Sequence, residues 1–147
     1  MRIDFYHLTS STLQKILPQL AINIDKTKKH AIFLFKDDNE VEKFNDYLWT
    51  FKDTSFIPHG SKNDGNENLQ PIFLSSEFSN PNDAKFIVYT SPLNNINPEF
   101  ERVFIIFNGN NKMELEMARN LWKKGIALSA EMHYWQDLPE GWVEKKL

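Results

Sequence analysis

Arg119 and Lys123 lie one helical turn apart with Trp122 beside them, and of all the side chains in this sequence they are best suited to hold a ligand. A guanidinium donates paired hydrogen bonds to a carboxylate, an ammonium attracts negative charge from any direction, and an indole can wall an apolar side chain. Such a set would accept an acidic peptide that ends in an aromatic residue. Glu116, three residues before Arg119, supports a blander reading. It could neutralise the arginine and leave a solvated helix face that binds nothing, since exposed pairs of this kind are common and weak. Spacing alone leaves both readings open.

A second concentration of rings lies between Phe44 and Gly60, where Tyr47, Trp49, Phe51 and Phe56 precede a Pro58-His59-Gly60 corner. Connections normally run polar over the surface, so these rings either plug a core or form a docking surface. Trp49 and Pro58-His59 are expected to stay partly exposed.

Catalytic chemistry finds little support. His7, His30, His59 and His133 are scattered, with no pair at helical metal-ligand spacing. Cysteine is absent, which excludes disulfides and thiolate chemistry, and no Gly-x-Ser-x-Gly elbow occurs. Asp37 and Asp38 fit a helix N-terminus better than an acid/base couple. Gly60-Ser61-Lys62 lacks the upstream glycine of a phosphate loop. The Asn108-Gly109-Asn110 turn, before a helix N-terminus, is the place for an anion in such folds but lacks either glycine pattern. No cofactor, metal or catalytic residue is expected; the competing reading is a nucleotide-binding enzyme or helicase-like remnant that uses this turn.

The elements that carry these residues follow from periodicity. Continuous apolar runs at 31–35, 85–89 and 102–107 predict buried parallel strands, with a first strand at 3–6, a short one at 55–57 ended by Pro58, and a peripheral one at 71–74. Helices are expected after Ser10-Ser11 with Pro18 kinking or shortening it, after Asp37-Asp38-Asn39, and after Asn111, the last with Met113, Met117 and Leu121 as its core stripe and Gly125 ending it. Residues 126–128 could form a final extended segment, and 131–147 shows no clear period. The alternation predicts a three-layer α/β fold, a mainly parallel sheet of about five strands with helices on both faces, in a nucleotide-binding-like architecture. With 147 residues, one domain is expected, with 136–147 a candidate extension.

A net charge of −3 argues against direct nucleic-acid binding. The longest apolar run, Val103 to Phe107, is too short to span a bilayer, and without a leader-like N-terminus the cytoplasm is the expected location.

Three motifs, Phe5-Tyr6-His7-Leu8, Leu48-Trp49 followed by Ser55-Phe56-Ile57-Pro58-His59, and Ala118-Arg119 with Trp122-Lys123, make the chain resemble the chi subunit family of bacterial DNA polymerase III. The resemblance covers nearly the whole chain. It implies a non-catalytic accessory subunit of the clamp-loader assembly that pairs with a psi subunit. It also implies binding of the acidic C-terminal tail of single-stranded-DNA-binding protein, which ends in Pro-Phe. Carried over by motif, Trp49, Arg119, Trp122 and Lys123 would line the tail site, with Phe56, Pro58 and His59 as neighbours. Asn108 stands where the family's pocket would have an apolar residue.

Overall fold

Apolar runs bounded by charge become strands, and the amphipathic stretches between them become helices. In the computed structural model, which describes residues 1–54, 56–92 and 95–146, the chain order is β1 (Arg2–Leu8), α1 (Leu13–Lys26), β2 (Ala31–Leu34), α2 (Asp38–Thr50), β3 (His59–Gly60), β4 (Ile72–Ser75), β5 (Phe86–Tyr89), β6 (Arg102–Asn108), α3 (Lys112–Ala127), β7 (Glu131–Leu138) and β8 (Gly141–Lys145). The fold is α/β with a mainly parallel sheet flanked by helices, as the alternation predicts. The described residues contain eight strands rather than about five. No helix among them is long and apolar enough to cross a membrane.

The chain packs as two compact units, Met1–Leu13 with Val88–Leu147, and Gln14–Ile87, with β5 carrying it from the second into the first. In the second unit β4 lies between β2 and β3, parallel to both, so it is an inner strand and not the expected peripheral one. Of the strand predicted at 55–57, the described residues Phe56 and Ile57 lie in turns and bends instead. Thr54 Oγ1 donates to the Leu48 carbonyl at 2.7 Å and the Ile57 N–H donates to the Thr54 carbonyl at 3.0 Å, so the backbone is satisfied locally. Pairing begins only after Pro58, with His59 opposite Ile72; Ser55 lies outside the described residues. Helix α1 runs unbroken through a buried Pro18 and buries Ile16, Leu17, Leu20 and Ile24. Asp37 caps α2 by accepting the Glu40 N–H at 2.8 Å, and Phe44 of that helix stacks on Phe35 with centroids 5.3 Å apart.

The first unit is built around β1, which pairs in parallel with β6 on one side and β7 on the other; β8 closes antiparallel on β7. Side chains alternate across the sheet, so Ile3, Phe5 and His7 share the face on which α3 packs. The residues of α3 that are buried are Ala118, Leu121 and Gly125, while Met113 is 74% exposed. Of the expected stripe Leu121 is buried and Met117 half-buried, while Met113 is turned out to solvent; the small residues Ala118 and Gly125 let the helix lie close to the sheet. A Cβ on Gly125 would fall 2.6 Å from Met132 Cε and 3.1 Å from Ile3 Cδ1. Gly125 thus sits inside the helix rather than ending it. The left-handed residue that stops the chain is Ser129, at φ 56°, and residues 126–127 are helical instead of extended.

On the opposite face of β1, Asp4 is fully buried and accepts hydrogen bonds from Arg2, Arg102 and Trp135. Where the sequence shows no period, residues 131–145 form a hairpin. Its first strand is anchored by Asp137, whose carboxylate accepts the Thr9 N–H at 2.6 Å, the Ser10 N–H at 2.9 Å and the Ser11 N–H. Burial would raise Asp137, but these bonds and that from the Thr9 hydroxyl hold it below the ordinary carboxylate range.

Candidate functional site

Helix α3 is set in register by Asn111, whose side-chain oxygen accepts the Glu114 N–H at 3.0 Å. The Glu114 carboxylate accepts the Asn108 N–H at 3.3 Å, tying the helix start to the end of β6. From this start, Arg119, Trp122 and Lys123 project along one border of a pocket of about 510 Å³. The sheet supplies the floor through His7 of β1, Phe107 of β6 and Tyr134 of β7, and β8 contributes Lys145. That volume falls in the range of ordinary ligand sites.

The wall is a contiguous ring cluster. Trp122 meets Phe5 edge-on with centroids 5.2 Å apart and Tyr134 at 5.8 Å, and His7 packs on Phe107 at 5.0 Å. His7 Nδ1 and the Tyr134 hydroxyl share a 2.6 Å hydrogen bond that fixes both rings. Burial lowers the His7 pKa, opposed by Asp137 and reinforced by Lys145, which favours the neutral form of this ring. Burial raises the Tyr134 phenol, with Arg119 pulling the other way. The pocket therefore presents neutral rings with cations at its border.

Three cations, Arg119, Lys123 and Lys145, face one carboxylate, Glu116. Arg119 does pair with Glu116, at 3.4 Å, with both side chains about two-thirds exposed. Such a pair contributes about 0–1 kcal/mol, little enough for an incoming carboxylate to displace it.

The remaining predicted residues lie elsewhere. Trp49 is 44% exposed and stacks on His59 with centroids 4.0 Å apart. His59 is only 2% exposed, contrary to expectation: its Nδ1 lies 2.6 Å from the Ile57 carbonyl, and burial lowers its pKa. Phe56 is 88% exposed and Pro58 is also at the surface. These four belong to the second unit, and none is among the pocket-lining residues, all of which come from the first. Asn108 is exposed, its side chain accepting the Asn110 N–H at 2.9 Å; its neighbour Phe107 lines the pocket instead. Sequence reasoning missed Tyr134, Gln136, Lys145 and the part played by His7. The available signals were the Phe5-Tyr6-His7-Leu8 motif for His7 and, for the tail, the rings Tyr134, Trp135 and Trp142.

The Asn108-Gly109-Asn110 turn also acquires a local explanation. A Cβ at Gly109 would fall 1.8 Å from His7 Nε2 and 2.1 Å from Cδ2, so glycine is required for the close approach of the imidazole. Gly109→Ala is expected to displace His7, to cost about 1–3 kcal/mol of stability through overpacking, and to broaden the Tyr134 ring signals in a proton NMR spectrum. Unchanged stability and spectra would refute the steric role.

Fold and pocket together define an α/β protein with a mainly parallel sheet flanked by helices, in which a cationic, ring-walled pocket is the candidate site. The sequence matches the family described as DNA polymerase III chi subunit, HolC, over residues 1–133, and the chain belongs to that family. Among curated proteins it is similar to the probable DNA polymerase III subunit chi of Rickettsia prowazekii (strain Madrid E), at 33% identity over 91 residues. The aligned stretch covers 62% of this chain and 55% of that relative.

Proposed function

We propose that this member of the chi family is a non-catalytic accessory subunit of the replicase that holds the acidic C-terminal tail of single-stranded-DNA-binding protein. Through a psi subunit it would connect that protein to the clamp loader. The observation that carries the reading is the grouping of Arg119, Trp122 and Lys123 on one pocket beside Tyr134 and Phe107. A terminal carboxylate would take charge-assisted hydrogen bonds from Arg119, the terminal phenylalanine would enter the ring-walled space, and the tail aspartates would lie near Lys123.

Titration of a labelled hexapeptide with an acidic Pro-Phe ending tests it. Micromolar binding that disappears when the last phenylalanine is removed is expected. Saturable binding of labelled ATP with no peptide binding would favour the nucleotide-binding alternative instead. Because Trp49 lines no part of the pocket, Trp49→Ala is expected to change peptide affinity by no more than about twofold, within the range of energetically neutral positions. A larger loss would show that the pocket alone does not account for tail binding.

A further inference from the structure

Beyond the helix that carries the motif, the pocket has a second source of charge. The β7–β8 hairpin is antiparallel, with Tyr134 opposite Lys145 and Gln136 opposite Val143. Directly opposed residues share a face, so the strand that puts Tyr134 and Gln136 on the pocket also puts Lys145 there. All three are lining residues. Lys145 has no ion-pair partner among the described residues, and its field reaches the His7 ring.

The hairpin is held in place from its other face. Trp142 meets Tyr6 edge-on with centroids 5.4 Å apart, and Glu144 bonds to His133. Glu144 adjoins Lys145, so this contact fixes the backbone from which the lysine projects. All of β8 lies beyond residues 1–133 that match the family, so this cation is supplied by a part of the chain outside the match.

We infer that the C-terminal hairpin is a specificity-determining wall of the pocket, with Lys145 reading an acidic side chain upstream of the bound peptide's C-terminus. The inference rests on the tail-binding reading and adds to it. Arg119 on the helix takes the chain end, and Lys145 on the strand rewards negative charge before it. Lys123 already lies near the tail aspartates from the helix side, and Lys145 adds a second cation from the opposite wall, so acidic tails gain more over neutral ones with the same last residues.

Lys145→Gln tests the inference in the full chain, where an exposed side chain can be exchanged without disturbing the core. Two labelled peptides are titrated, one acidic with a Pro-Phe ending and one with its acidic residues replaced by asparagine or glutamine. For the acidic peptide, Lys145→Gln is expected to weaken binding about fivefold and to flatten its salt dependence. For the neutral peptide, the same substitution is expected to change nothing. If Lys145→Gln binds the acidic peptide as tightly as the unaltered protein while Arg119→Ala loses it, the hairpin has no part in recognition and the tail reading stands. If the unaltered protein binds neither peptide, the tail reading falls and takes this inference with it.

Discussion

Arg119→Ala is expected to weaken binding of the acidic Pro-Phe peptide about thirtyfold, about 2 kcal/mol, the size of an interface hot spot. The pair Arg119 makes without ligand is exposed and monodentate, at 3.4 Å from Glu116. A terminal carboxylate would offer two oxygens to the guanidinium beside a ring wall that excludes water, where charge-assisted bonds are stronger. Arg119→Lys is expected to fall between, because a point charge keeps the attraction and loses the fork. Raising the salt concentration should narrow the gap between the unaltered protein and the alanine variant, since the charges at the pocket border are screened. The side chain is 64% exposed, so folding should be unaffected and the loss can be read as recognition. Peptide affinity within twofold of the unaltered protein would remove Arg119 as the carboxylate anchor.

Asp4→Ala is expected to cost about 3 kcal/mol of stability, the lower end for breaking a buried ion pair. Asp4 has no exposed surface, and its carboxylate accepts from Arg2 at 3.0 and 3.1 Å, from Arg102 at 2.9 Å and from Trp135 Nε1 at 3.0 Å. The lower end applies because the partners are not trapped: the Arg2 and Arg102 side chains are 36% and 29% exposed and can rehydrate once the carboxylate is gone. Trp135 would lose its acceptor. Burial would raise the Asp4 pKa, but the bonds from Arg2 and Trp135 and the charge of Arg102 outweigh it and hold the group below its ordinary value of 3.8.

The sign of the pH dependence follows. A carboxylate with a depressed native pKa contributes stability that is present above 3.8 and lost as pH falls through the native value. Urea unfolding midpoints of the two proteins should therefore differ fully at neutral pH and converge in acid. A gap that stays constant down to the acid unfolding of the parent would show that Asp4 acts by packing and not by charge.

The predicted strands at 31–35, 85–89 and 102–107 fall within a residue or two of β2, β5 and β6, because a strand buried on both faces needs an unbroken apolar run. The Asp37 cap was equally readable, since capping depends on residues three apart. Phe56 and Ile57 depart from the expected strand because a β-branched and aromatic composition does not reveal that Thr54 satisfies the end of α2 in turns. The tail was unreadable for the opposite reason. In β7, Tyr134 and Gln136 line the pocket on one face while His133, Trp135 and Asp137 hold polar partners on the other, so no apolar alternation survives.

By itself the sequence determined the succession of helices and strands and the joint presentation of Arg119, Trp122 and Lys123 by one helix, since both depend on neighbours within a turn or two. Only the tertiary structure decided what those three face. The parallel pairing of β1 with β7 brings His7 against Tyr134 across 127 positions of sequence, and the hairpin adds Lys145 beside them. Contacts of that span come from how strands order themselves in a sheet. That order minimises the exposed apolar surface of the whole assembly and leaves no periodic trace at either partner.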